Sequence, residues 1–352
     1  MKRKFVMGAA ILTTTAAGAT ALTLADWAKR LDPDGNVPKV IEMLSQKNEI
    51  LEDMLFVEGN LPTGHRSTIR TGLPEAAWRK LNYGTPQSKS QTVTVDDNCG
   101  MLEARGQIDL KLAALNGNSA AFRLSENSAF LEAMNQEMAE AVIYGDTDVD
   151  PEKFLGMAPR FSDIGAGAPS NAVNIIDAGG EGSDNTSIYF VAWGEDTCHG
   201  IFPKGSKAGI VHQDLGEGDA FDAAGNRFRA LMDLWQWDCG LVVRDWRYVS
   251  RICNIDVPLI RTDVPSMKAL LNFLVDAEER IQDMNTGKVA IYCNRTIRAA
   301  LRKAIIEKLS NNLTEETVAG KRVTMWNGIP VRIVDKILLT ETRVVYPAIL
   351  LP

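Results

Sequence analysis

The reactive side chains of this sequence are few and poorly spaced for catalysis. It holds three histidines, His65, His199 and His212, and five cysteines, Cys99, Cys198, Cys239, Cys253 and Cys293. There is no H-E-x-x-H and no C-x-x-C, so neither zinc nor a disulfide framework is indicated, and the five thiols read as reduced. Cys198 and His199 adjoin. On a strand, successive side chains point to opposite faces, which argues against the two as a nucleophile and its base. G-x-S-x-G, Walker-type and G-x-G-x-x-G motifs are absent. Asp146-Thr147-Asp148-Val149-Asp150 has the look of a calcium loop. It fails because Pro151 stands where a sixth-position glycine is required and Met157 where a bidentate glutamate is required. It reads as an acidic surface turn, and Asp214 to Asp222 as a soluble acidic loop. Catalytic, cofactor-binding and metal-binding residues are therefore expected to be none, and an enzyme is disfavoured.

The elements that would carry a function are more informative. The 352 residues have room for two or three substructures, and a formal net charge of -7 argues against a protein that grips nucleic acid through a basic face. Lys2, Arg3 and Lys4 precede a short apolar run and small-x-small steps near Ala19 and Ala21, the pattern of a secretory signal, too short to span a bilayer. Leu24–Leu31 is a short helix or arm ended by Asp32-Pro33-Asp34-Gly35, and Val37–Leu55 is amphipathic. Leu61–Leu112 alternates polar and apolar residues at Ser67–Thr71 and Gln91–Asp96, as two strands with a wet face do.

Asn118–Tyr144 has Phe130, Met134, Met138, Ala141 and Val142 on one face of a long helix, with Asn118 or Ser125 as cap and Gly145 as stop. At about 1.5 Å per residue such a helix is roughly 39 Å long, a strut rather than a site. Gly165–Asn185 is a connector. Strands are predicted at Ser187–Trp193, His199–Pro203, Ala208–Val211 and Leu241–Val249. A helix capped by Ser266 and stopped by Gly287, a buried strand at Val289–Cys293 and a helix capped by Asn294 form an α/β lobe. Asn327-Gly328 is a hairpin turn between apolar runs.

This order resembles the major capsid proteins of tailed bacteriophages, the Hong Kong 97-like fold. The phrases LADWAKRLDPDG, VEGNLPTGHRSTIRTGLP, NCGMLEARGQID, SENSAFLEAMNQEMAEAVIYGDTDVDPEKFLGMAPRF and WNGIPVRIVD are similar to those of certain short-tailed phages and prophages. The resemblance implies an α+β fold. Residues 1–21 are an N-terminal extension, a mis-called start or signal-like segment. Residues 22–60 are an arm, 61–112 an extended two-stranded loop, and 113–263 the spine helix and peripheral domain with inserted strands. Residues 264–320 are an axial α/β domain and 321–352 a closing hairpin and tail.

It also implies a virion protein assembled in the host cytoplasm. Other copies of the chain in hexamers and pentamers are the expected partners, with portal and scaffolding or decoration proteins beside them. The shell would enclose double-stranded DNA without sequence-specific binding or membrane contact. Arg66, Arg70, Trp78, Arg79 and Lys80 on the loop, and Asp146, Asp148 and Asp150 at the exit of the spine, are the candidate subunit contacts. The alternative, carried only by the N-terminus, is an exported soluble enzyme or binding protein.

Overall fold

The computed structural model describes residues 46–114, 119–164, 170–222, 225–307, 309–318 and 321–345. The expectations for residues 1–45, including the signal-like segment and most of the arm, lie outside these residues, as do Asn118 and part of the Gly165 connector.

A helical turn at Ile50–Asp53 precedes β1 (Phe56–Glu58), β2 (Gly64–Gly72) and β3 (Gln91–Asp109). Helix α1 (Ser119–Tyr144) follows, then β4 (Ile175–Asp177), β5 (Asn185–Trp193), β6 (Cys198–Phe202), β7 (Val211–Phe221), β8 (Arg227–Val243) and β9 (Val249–Asp256). The chain continues with α2 (Val257–Thr262), α3 (Val264–Glu279), β10 (Lys288–Cys293), α4 (Arg295–Ile306), β11 (Leu313–Val318), β12 (Lys321–Trp326) and β13 (Ile329–Ile333). These residues form two units. Of the described residues, the larger unit holds those within 43–103, 131–211 and 236–352, and the smaller those within 104–130 and 212–235.

In the larger unit β10 lies antiparallel to β5 and parallel to β13, while β9 runs antiparallel to β5. The sheet path ends at β2 on one side. β5 is buried along its whole length, which explains its continuous apolar run, Ile188 to Trp193. Against this sheet α3 sets Met267, Leu270, Leu271 and Leu274, and α4 sets Ile297, Leu301 and Ala304, around Phe190, Ile291 and Trp326. Each large apolar side chain buried there contributes about 1.5–3 kcal/mol before chain entropy is counted. Local signals work well here. The Asn294 side chain accepts from Thr296 N to start α4, and Asn327 and Gly328 both take positive φ, as a tight β12–β13 turn requires.

Several expected boundaries are corrected. Asp263, not Ser266, caps α3, because its carboxylate accepts from Ser266 N and Pro265 suits the first turn. The helix ends at Glu279, well before Gly287, whose positive φ serves the turn into β10. Leu241–Val249 is not one strand. Asp245 accepts from Arg247 N and starts a 3-10 turn at Trp246–Tyr248 that separates β8 from β9. Leu110–Ala114 forms a short helix directly after β3.

In the smaller unit, residues 214–219 lie not in a loop but in β7, which pairs with β8. Their acidic, glycine-rich composition hides a ladder satisfied by main-chain groups. Ile108, Leu112 and Ala113 form a small core with Leu231 beside them.

Candidate assembly surfaces

The extended loop is an antiparallel pair in which Arg66 faces Asp96 and Ile69 faces Val93. Arg66 binds Asp96 through two hydrogen bonds of 2.6 and 2.7 Å, so its charge is engaged within its own hairpin. Hydrogen bonding from Arg66 holds the Asp96 carboxyl below its ordinary range. Between the strands, residues 73–90 carry no helix or strand, and their apolar side chains stand in solvent. Leu73 is 80% exposed, Leu81 90%, Tyr83 70%, and Trp78 fully. Arg79 Nε donates to Tyr83 O. Among the described residues, Arg70, Arg79 and Lys80 form no ion pair.

At the exit of α1, Asp150 N donates to Asp146 O and Asp148 N to Asp146 Oδ1. Lys153 bridges Glu137 and Asp150. The acidic turn is thus stiffened by its own bonds, and Asp148 keeps an exposed carboxylate. Within one copy the structure does not bring the loop cations to the Asp146–Asp150 turn.

Two buried polar networks of the larger unit have no signature in the sequence. Arg251, 4% exposed, donates to Ser187 Oγ, to the carbonyls of Ala158 and Phe161, and to Glu341 Oε2 at 3.1 Å. Tyr144 OH donates to Glu341 Oε1, and Leu338 N donates to Tyr144 OH. Burial pulls the Arg251 pKa down, but Tyr189 and Glu341 more than compensate, so it stays cationic. In the second network Asp53 takes Lys288 Nζ at 2.6 Å and Tyr292 OH at 3.1 Å, with Arg332 Nε 3.1 Å away. Glu49 accepts from Ile333 N. The segment from Glu49 to Asp53 is thereby fastened to β10 and β13.

The reactive side chains stay dispersed. His65 and His199 meet edge to face, with ring centroids 5.9 Å apart, and neither has a nucleophile as partner. Burial pushes the thiols of Cys198, Cys253 and Cys293 up to about 12. In the smaller unit His212 stacks on Trp235 and shares the buried Asp233 with Arg123, which also binds Asp214. Hydrogen bonding from Arg123 lowers Asp214 to about 2. Among the described residues no group of three or more His, Cys, Asp or Glu is placed to hold a metal, and no helix is long and apolar enough to cross a membrane.

A long helix, a mixed sheet carrying an α/β lobe, and a hairpin too exposed to serve one copy alone define a Hong Kong 97-like capsid protein. The family model for major capsid protein GP7 matches residues 32–345, and the chain belongs to that family. It is similar to a chain of the near-atomic structure of bacteriophage Epsilon15, with 37% identity over 94% of this chain and 99% of that one, and a TM-score of 0.72. It also matches the bacteriophage JBD30 capsid at 7% identity over 84% and 92% of the two chains, TM-score 0.45. The capsid of a native GTA particle matches at 11% identity over 67% and 99%, TM-score 0.44. No curated protein matches. The chain is a structural protein of a phage shell, found in the virion, and not an enzyme. The exported-enzyme alternative finds no support.

Proposed function

We propose that copies of this chain close into hexamers and pentamers around double-stranded DNA, assembled in the host cytoplasm with portal and scaffolding or decoration proteins. In this reading residues 61–112 are the loop that lies across a neighbour. Residues 113–263 form the spine and peripheral domain, and 264–320 the axial domain. The observation that carries it is the tip of the hairpin. A solvent-facing Trp78 with Leu73, Leu81 and Tyr83 gains nothing inside one copy, whereas a neighbour's surface in a closed symmetric assembly would bury it. Each contact can be weak, since many copies add their contacts. The loop cations Arg70, Arg79 and Lys80 face the Asp146, Asp148 and Asp150 turn of another copy; Arg66 contributes less, being held by Asp96. Electron microscopy and sedimentation of the expressed protein test this. Megadalton shells or capsomeres are expected, and a monomer under every condition would overturn the reading.

A further inference from the structure

A groove of about 330 Å³ lies in the larger unit, between residues 178–181, the end of β9 and helices α2 and α3. Its lining includes the buried Ile255, Ile260 and Leu270, the half-buried Ala178 and Phe273, and Leu259, which is 50% exposed. Three polar side chains of the described residues also line it, and each is already engaged. Asp256 accepts from Leu259 N at the start of α2, Ser266 Oγ donates to Asp263, and Glu181 pairs with Arg343 at 3.4 Å. What the groove leaves open is apolar, which suits an uncharged apolar occupant.

The chain itself brings such a segment to the groove. Glu341 bridges Asn185 in the antiparallel sense, and Arg343 N donates to Gly182 O. The run from 341 to 343 thus retraces 185 to 182, and its next step leads toward 178–181, the wall of the groove. Val344 is held through both of its main-chain groups. Its N donates to Asn254 Oδ1 and its O accepts from Asn254 Nδ2, each at 2.8 Å. Asn254 O in turn accepts from Gly180 N, and Ile255 beside it lines the groove. These bonds set Val344 next to the apolar lining.

Residues 344–352 read VVYPAILLP, an uncharged run in a chain of which 24% is charged. Pro347 and Pro352 disfavour a helix there, and seven extended residues after Val345 reach roughly 23 Å, ample for a groove that begins beside Val344. We infer that Ile349, Leu350 and Leu351 lie in the groove of their own chain, against Leu259, Leu270 and Phe273. The segment is then a latch over α2 and α3 that keeps this apolar surface from other copies. It is independent of assembly: a subunit that never forms shells still carries it.

The test is hydrogen exchange of the full chain before assembly, read by mass spectrometry. Amides of 349–351 are expected to exchange about tenfold or more slowly than in a free peptide of the same sequence. Ala269→Trp, which fills the groove from α3, should abolish that protection. Leu350→Asp should speed exchange across 255–273 while the β5–β10 pair stays as in the parent. Free exchange of 349–351 in the parent, or protection that survives Ala269→Trp, overturns the docking. If Ala269→Trp unfolds the chain, a cysteine pair decides. Ala269→Cys with Leu350→Cys, oxidised in a mixture of isotopically light and heavy copies, should give a disulfide within one copy. A light–heavy disulfide hands the groove to a neighbour's segment and overturns the latch, as does the lack of any disulfide.

Discussion

Arg251 shows how this subunit handles charge in its interior. A buried ion pair gains little over an apolar pair of the same shape, but removing one partner strands the other and costs about 3–5 kcal/mol. Glu341→Leu is therefore expected to destabilise the isolated chain by about 3 kcal/mol in urea unfolding, with Arg251→Met added in the same chain recovering part of the loss. His199 gives a second expectation. Burial, then Arg244, lowers its pKa to about 4 from the ordinary 6.5, and His65 shifts in the same direction. The unfolded chain takes up protons that the folded one refuses, so stability falls as pH drops from about 6.5 to about 4. Melting curves across that window should show a shallower slope in His199→Gln.

Among the elements, the exit of α1 depends on close backbone approach. Gly145 does not adopt the left-handed conformation common at helix ends. It is needed because a side chain there would strike Phe154 O and Ala141 O. Gly156 N donates to Gly145 O at 2.7 Å, and a Cβ at Gly156 would lie 2.7 Å from Ala141 O. Gly156→Ala should therefore cost about 1–3 kcal/mol, read as a lower unfolding midpoint, because only main chain is available to move. The same exit marks what the sequence makes legible. The extent of α1, the Asn294 cap and the Asn327-Gly328 turn rest on neighbours within a few residues, so pattern reveals them. The Arg251–Glu341 pair is separated by 90 residues and the Tyr144–Glu341 bond by 197. No local pattern signals such partners. β7 was obscured for another reason: its acids and glycines are loop-like in composition, while its pairing with β8 makes it a strand.

At the scale of the whole molecule, stability and assembly fall on different surfaces. Trp78 touches nothing that holds one copy together, so Trp78→Ala should leave the melting point of the unassembled protein within the effect of about 0.5 kcal/mol expected of a surface change. A tryptophan buried between copies is worth about 2 kcal/mol or more, so shell formation should need roughly 30-fold more protein, measured by light scattering against concentration. The reach of Glu341 has a consequence in time. During synthesis at about 5–20 residues per second, the ribosome needs roughly 5–18 s to move from Arg251 to its acceptor 90 residues later. Until then the cation has no carboxylate to enter the core with, and the end of α1 has nothing to hold Tyr144. The Arg251–Glu341–Tyr144 network therefore closes only after residue 341 has been made, so its contribution to stability comes late in synthesis.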